Sequence, residues 1–218
     1  MKQAFEQEEL DSNVVRICGR VMNRFDKPGI TILTVSTLEI IRGEKQINYP
    51  KIYFFSNDNT GVENFMRGDE VVIHAHIAAP RKYRRTGQQY VSQAVVGDSI
   101  RKRQSLYGLM MNEENAAGPL EPQTNLMYIK GPLLEARTIN DKVCEITVLA
   151  EDHGHKSAVH LTSFRNEVLL IRPGTIVTVH GRIRTRVRFQ EGEKPKRYQN
   201  YEIMRITQEE GGNENGAR

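Results

Sequence analysis

Tryptophan is absent from this 218-residue chain, and aromatic residues make up only 7% of it. Any stacking or packing that other proteins assign to indole must fall here on 8 tyrosines and 7 phenylalanines, which offer less area per contact. Cysteine occurs twice, as Cys18 and Cys144, in apolar stretches far apart. That excludes a disulfide framework and a zinc site built from cysteine alone. No apolar run reaches the roughly 18 residues that a membrane-spanning helix needs. The segment from Met1 to Asn13 carries Glu6, Glu8, Glu9 and Asp11 against one lysine, the reverse of a secretory leader. These absences predict a reduced, cytoplasmic protein with no membrane association. Catalytic signatures are missing too: there is no Gly-x-Ser-x-Gly, no Gly-Lys-Thr phosphate loop and no His-Glu-x-x-His. Paired carboxylates fall only in loops and tails. His153, His155 and His160 cluster with Asp152, but His-x-His on a loop is more often solvated than metal-bound. The expectation is a protein with no catalytic site, no metal, no cofactor and no small-molecule substrate.

What is present is a compact, repeated β pattern. Hydrophobic residues are 38% and charged residues 27% of the chain, enough for one large domain or two small ones. GDEVVIHAHI at 68–77 aligns without a gap with GTIVTVHGRI at 174–183. Both alternate at period two, with Val71, Ile73, Ala75 and Ile77 or Val177, Val179, Gly181 and Ile183 on the inward face. His74 and His76, and then Thr178, His180, Arg182 and Arg184, take the other face. A basic, Gly-containing stretch and a further strand follow each copy. Three short strands precede each, with room for one helical turn at Thr60–Met66 and at Ser163–Ile171. Five short strands per copy point to a small closed β architecture. The expected plan is a first domain over 1–104 with an acidic arm, a linker over 105–125, a second domain over 126–207 and a disordered tail over 208–218.

Net charge is only +4, but its distribution is uneven. Seven basic residues stand between Arg81 and Arg103 against Asp98 alone, and eight stand between Arg182 and Arg205 against three glutamates. Two such clusters, one per repeat, suggest an anion-binding surface used twice. In YPKIYFF at 49–55, inward Ile52 and Phe54 leave Tyr49, Lys51, Tyr53 and Phe55 on the opposite face. Exposed aromatics beside a lysine suit the stacking of unpaired bases with a cation at phosphate. Arg81, Lys82, Tyr83, Arg84, Arg85 and Tyr90 extend the same chemistry onto the first basic hairpin. The histidines His74, His76 and His180 are assigned to the same surface.

At these residues the chain resembles the bacterial single-stranded-DNA-binding proteins. IRTR at 183–186 follows GTIVTVHGR and precedes RYQNYEI at 197–203, like that family's Gly-x-x-Val-x-(Val/Ile)-x-Gly-x-(Leu/Ile)-Arg-Thr-Arg and Arg-Tyr pattern. NVVRICGRV at 13–21 is similar to the family's first strand, and YPKIYFF to its third. The resemblance implies an all-β chain of two tandem OB-folds, each a five-stranded Greek-key barrel, that coats single-stranded DNA with little sequence preference during replication, recombination or DNA transfer. It adds Arg182, Arg184, Arg186, Arg188, Arg197 and Tyr198 to the expected binding residues. RNA binding or a protein-interaction role is the alternative. The chain departs from the family in lacking tryptophan, in its two-fold repeat within one chain, and in ending Asn213-Glu214-Asn215-Gly216-Ala217-Arg218 rather than in an acidic Pro-Phe tail. These departures fit a divergent member from a mobile genetic element, and four folds per particle would make it a homodimer, with the apolar spacing of Leu106, Leu109 and Met110 as one docking turn. The two copies are expected to be unequal. Aligned by inward residues, Ala158, His160 and Thr162 of the second copy stand where the first has Lys51, Tyr53 and Phe55, so the second lacks the stacking platform.

Overall fold

A computed structural model describes residues 12–41, 43–83, 89–106, 119–152, 154–188 and 196–209. In the first repeat β1 (Asn13–Lys27), β2 (Ile30–Ile41), β3 (Glu44–Asn48) and β4 (Lys51–Phe55) precede a 3-10 turn at Val62–Asn64. β5 (Glu70–Ala78), β6 (Arg81–Tyr83), β7 (Gln89–Val91) and β8 (Ala94–Lys102) follow. The second repeat contains β9 (Thr124–Asn140), β10 (Val143–Asp152) and β11 (His155–Ser163), a 3-10 turn at Asn166–Leu170, and then β12 (Ile176–Arg188) and β13 (Lys196–Gln208). β9 begins two residues inside the segment that the sequence suggests as linker.

Both repeats close the same ring. β1 pairs with β2, β2 with β4, β4 in parallel with β8, β8 with β5 and β5 back with β1. The second ring runs β9, β10, β11, in parallel to β13, then β12 and back to β9. This is the five-stranded OB-fold expected from the sequence, in tandem. Closure removes the open edges that would otherwise invite aggregation. The predicted inward sets are all buried: Val71, Ile73 and Ile77 in one barrel, and Val177, Val179 and Ile183 in the other, are at 0% exposure. Val62 and Phe65 plug the end of the first barrel, and Val168 and Ile171 do so in the second. Arg24 pins the first plug by donating to Val62 O at 2.9 Å and Phe65 O at 2.7 Å.

The first strand of each barrel does double duty. β1 pairs with β5 through Arg20 and with β2 from Arg20 onward, so it must bend at the handover. Gly19 permits that bend: a Cβ there would lie 2.0 Å from Ser36 O. Gly131 of β9 is equivalent, with Leu149 O at 2.1 Å from a Cβ. Close backbone approach of this kind is what a strand glycine allows.

The two barrels are joined by β1 and β9, which run antiparallel from Asn13↔Ile129 to Cys18↔Thr124. Val15 lies opposite Met127, its own counterpart in the other repeat, so the pair is the axis of a pseudo-twofold. A buried asparagine marks each side of it. Asn13 donates from Nδ2 to Ile77 O at 2.9 Å and accepts from Ile77 N at 2.9 Å. Asn125 does the same with Ile183, at 2.7 and 2.9 Å. Each side chain thus continues, in place of main chain, the ladder to the fourth strand where the first strand turns toward the other barrel. Removing either amide leaves a buried N–H and a buried C=O unpaired. Asn125→Ala is expected to cost about 2–4 kcal/mol, read as a lower urea midpoint, with Asn13→Ala similar.

Candidate nucleic-acid interface

β4 alternates as expected: Ile52 and Phe54 are at 0% exposure, Lys51 and Phe55 are exposed, and Tyr53 is half-buried. The ladders set Tyr53 in a cross-strand row. Phe25 of β1 opposes Ile32, Ile32 opposes Tyr53, Tyr53 opposes Val96, and Val96 opposes His76. Residues opposed in this way share one face of the sheet. Phe55 continues the face in the next row beside Ile30 and Lys27, and the Lys27 ammonium lies 5.3 Å from the Phe25 ring. Phe25 at 50% exposure and Phe55 at 44% leave this aromatic surface open. Phe25 escapes a sequence reading because its strand carries the bulge between Val21 and Asn23, which resets the alternation.

The far end of the platform is completed by the other barrel. The β12–β13 arm lies along β3 and β4: Thr185 N donates to Asn48 Oδ1 at 3.1 Å, Tyr49 N to Thr185 Oγ1 at 2.9 Å, and Lys51 N to Gln199 Oε1 at 2.9 Å. The Arg197 guanidinium sits 5.3 Å from the Tyr49 ring centroid. A cation of the second repeat therefore flanks an aromatic of the first. The reciprocal contact uses the equivalent glutamine, with Gln93 Nε2 donating to His160 O at 2.9 Å and His160 N donating to Gln93 Oε1.

The register corrects the alignment of the two third strands. Val21 and Leu133 are equivalent, and they oppose Val35 and Val148. Leu33 and Ile146, two residues back, oppose Ile52 and Leu161. Ile52 therefore matches Leu161, not Val159. Lys51 matches His160, Tyr53 matches Thr162, Tyr49 matches Ala158 and Phe55 matches Phe164. A slip of two preserves the inward–outward alternation, so apolar pattern alone cannot detect it. The second barrel thus retains one aromatic that the sequence reading missed. Phe164 is 46% exposed, with the Arg186 guanidinium 6.0 Å from its ring, and Arg186 opposes Tyr198, which is 44% exposed. Tyr201 is different: burial pushes its phenol up to about 12, and it belongs to the core.

Several expected residues lie elsewhere. Arg182 is not on the open surface; it is 8% exposed and paired with Glu202 at 3.0 Å. Arg184 pairs with Glu202 at 3.3 Å and with Gln46. His76 contacts Asp98 at 2.7 Å, within the row of Tyr53. His74 and His180 are on the central strands β5 and β12, and His180 packs edge-on against Tyr128 at 5.3 Å. Arg81, Lys82, Tyr83 and Tyr90 are placed by backbone, in the small β6–β7 pair, and Arg188 at the end of β12. Arg84, Arg85, Leu109 and Met110 lie outside the described residues, as does the tail from 210 onward.

Part of the first basic cluster serves structure instead. Glu121, at the end of the supposed linker, is 6% exposed. It accepts both arms of Arg101, at 2.9 and 3.0 Å, and its carbonyl accepts from Arg103 Nε at 2.6 Å. Arg103 also reaches Glu70 at 2.6 Å. Burial works to raise the Glu121 carboxyl pKa, but the Arg101 pair, the Gln104 N–H and the charge of Arg16 outweigh it and hold it below the usual range. Glu70 is likewise held down, against its burial, by Arg103 and Arg20. With folded values depressed, the unfolded chain takes up protons first as pH falls. The stabilisation is complete above about pH 4.5 and lost as pH drops through the folded values. Urea midpoints are therefore expected to be level near neutrality and to fall below about pH 4.5, and Glu121→Gln should flatten part of that fall while lowering the neutral midpoint.

No family profile matches the sequence, and no curated protein matches it. Solved structures do. The wild-type single-stranded DNA binding protein from Thermus aquaticus superposes with a TM-score of 0.63 at 12% identity, over 94% of this chain and 96% of that one. A deletion mutant of the same protein gives 0.60 at 12% identity, over 90% and 93%. At this identity the likeness is one of fold, and it extends over both barrels.

Proposed function

We propose that this chain is a non-enzymatic single-stranded-DNA-binding protein. The carrying observation is the open row of Phe25, Ile32 and Tyr53 with Phe55 beside it, flanked by Lys27, Lys51 and Arg197. Left bare, this much aromatic surface is costly in a free protein, and such patches mark binding sites. Unpaired bases fit it, because each has a π-face and its phosphate follows within reach of a cation. The Thermus aquaticus protein that shares the fold is named for single-stranded DNA binding, which supports the same reading.

Bases stack on Tyr53, Phe55 and Phe25, with Tyr49 held at the edge under Arg197. Phosphates run toward the basic arms: Arg81, Lys82, Arg84 and Arg85 of the first repeat, and Arg186, Arg188 and Arg197 of the second. His76 stands at the end of the aromatic row. His74 and His180, on the central sheet, contribute only where a strand wraps past the barrel seam. Phe164, just past the end of β11, and Tyr198 of the β12–β13 arm lie on either side of Arg186 and form a smaller platform. The role is the coating of exposed strands in replication, recombination or DNA transfer, in the cytoplasm, by a homodimer, encoded by a mobile genetic element. Dimerisation is read by light scattering, where a particle of one chain's mass would contradict it.

Binding to an oligo-dT is expected to exceed binding to duplex, to an acidic polypeptide and to oligo-U of the same length. Tighter binding to oligo-U would reassign the ligand to RNA, and preference for the polypeptide would make the module a protein binder. Replacing Arg81, Lys82, Arg84 and Arg85 together by alanine should lower the slope of log affinity against log salt by about 0.7 for each phosphate no longer neutralised, with stability nearly unchanged. Tyr53→Ala or Phe55→Ala should each cost roughly 1–3 kcal/mol of binding and leave the slope alone.

A further inference from the structure

The row that carries the platform in the first barrel has a counterpart in the second, and its chemistry is opposite. Arg137 opposes Glu145, Glu145 opposes Thr162, Thr162 opposes Glu202, and Glu202 opposes Arg182. Position for position these replace Phe25, Ile32, Tyr53, Val96 and His76. A largely apolar and aromatic row has become two arginine–glutamate pairs on either side of Thr162. The row is closed upon itself. Arg137 donates to Glu145 Oε1 from Nε at 3.0 Å and from Nη2 at 2.6 Å. His160 Nδ1 lies 3.6 Å from the same oxygen, and Glu202 takes Arg182 at 3.0 Å and Arg184 at 3.3 Å. Over it lies a polar groove of about 480 Å³ whose walls include Gln93, Arg137, Glu145, His160, Thr162 and Asn200. It has the volume for a base, but the rings in its walls are the imidazole of His160, held 3.2 Å from Thr147 Oγ1 and 3.6 Å from Glu145, and the buried phenol of Tyr201.

We propose that Glu145 keeps bases off the β10–β11 face of the second barrel and so sets how many nucleotides one chain holds. This rests on the single-strand reading above and adds to it the length of the site. Glu145 occupies Arg137, an exposed arginine that would otherwise be offered to phosphate, and Glu202 occupies Arg184 together with the buried Arg182. Each carboxylate also repels a phosphate brought alongside, and in a partly shielded groove that repulsion is stronger than in open water. A strand is held by the first barrel and the β12–β13 arm, and gains little from the β10–β11 face. Glu145 is the member to change, because it is partly exposed and its removal leaves no buried charge unpaired. Glu202, at 8% exposure, would leave Arg182 buried alone.

The experiment compares the wild-type chain, Glu145→Gln and the charge control Glu63→Gln, which sits at the plugged end of the first barrel. Affinities are measured for oligo-dT of increasing length at several salt concentrations. Wild-type affinity should rise with length and then level off. Glu145→Gln should leave the shortest oligonucleotides unaffected, tighten the longest by roughly two- to fivefold, shift the levelling-off to greater length, and steepen the salt slope by about 0.7 for the one phosphate that the released Arg137 then neutralises. A Glu145→Gln protein that behaves as Glu63→Gln does on long oligonucleotides would overturn the proposal. Weaker binding would overturn it too, because the carboxylate would then itself touch DNA. Failure of the wild-type chain to bind any single strand would instead refute the functional reading on which the proposal rests.

Discussion

The antiparallel pairing of β1 with β9 is the contact on which the rest of the molecule depends. Over Val15 to Cys18, β1 is hydrogen-bonded on one side to β5 of its own barrel and on the other to β9 of the second. A strand saturated on both edges cannot also continue straight into the pairing with β2. It bends past Gly19, as β9 bends past Gly131, and Asn13 and Asn125 satisfy the backbone groups that the bend leaves behind. The barrels are therefore one hydrogen-bonded object. Cutting the chain between them would expose two long edges, and the separated halves would pair with each other or with themselves rather than report on independent sites.

The relative placement of the barrels follows from that pairing. A pseudo-twofold at Val15 and Met127 carries each fourth–fifth hairpin onto the third strand of the opposite barrel. Gln199 meets the N–H of Lys51, and Gln93 meets the N–H of His160, its counterpart in the corrected register. The symmetry is of backbone, and side chains depart from it. On one side the arm brings Arg197 to Tyr49, beside an open aromatic row. On the other side the corresponding row is filled with paired charges. Two copies of one fold thus present surfaces with different uses, while the core and the closing ladders stay alike.

The barrels themselves were legible in the sequence because closure demands alternation. Val71 to Ile77 and Val177 to Ile183 show it without interruption, while the ring order was given only by the resemblance to the single-stranded-DNA-binding proteins. Tyr49, Lys51, Tyr53 and Phe55 were legible for the same reason. Other features were not. A slip of two residues between Val159 and Leu161 leaves the alternation intact, so Phe164 was passed over. Arg101, Arg103 and Arg182 read as free cations because Glu121, Glu70 and Glu202 are brought to them only by the fold. The bulge after Val21 hides Phe25. The asparagines Asn13 and Asn125 look like ordinary strand-edge residues until the backbone groups of Ile77 and Ile183 are placed beside them. In each case the missing information is a contact between distant segments, which local pattern does not encode.

Photocrosslinking of an oligonucleotide that carries 5-iodouracil in place of thymine tests the central claim most directly, because the crosslinked residues identify the face that the bases touch. Adducts are expected on Phe25, Tyr53 and Phe55, with weaker adducts at Phe164 just past β11 or at Tyr198 of the β12–β13 arm and none on the β10–β11 face around Glu145 and Thr162. Adducts concentrated on Tyr128 and His180 of the central sheet, or spread equally over the third strands of both barrels, would contradict it.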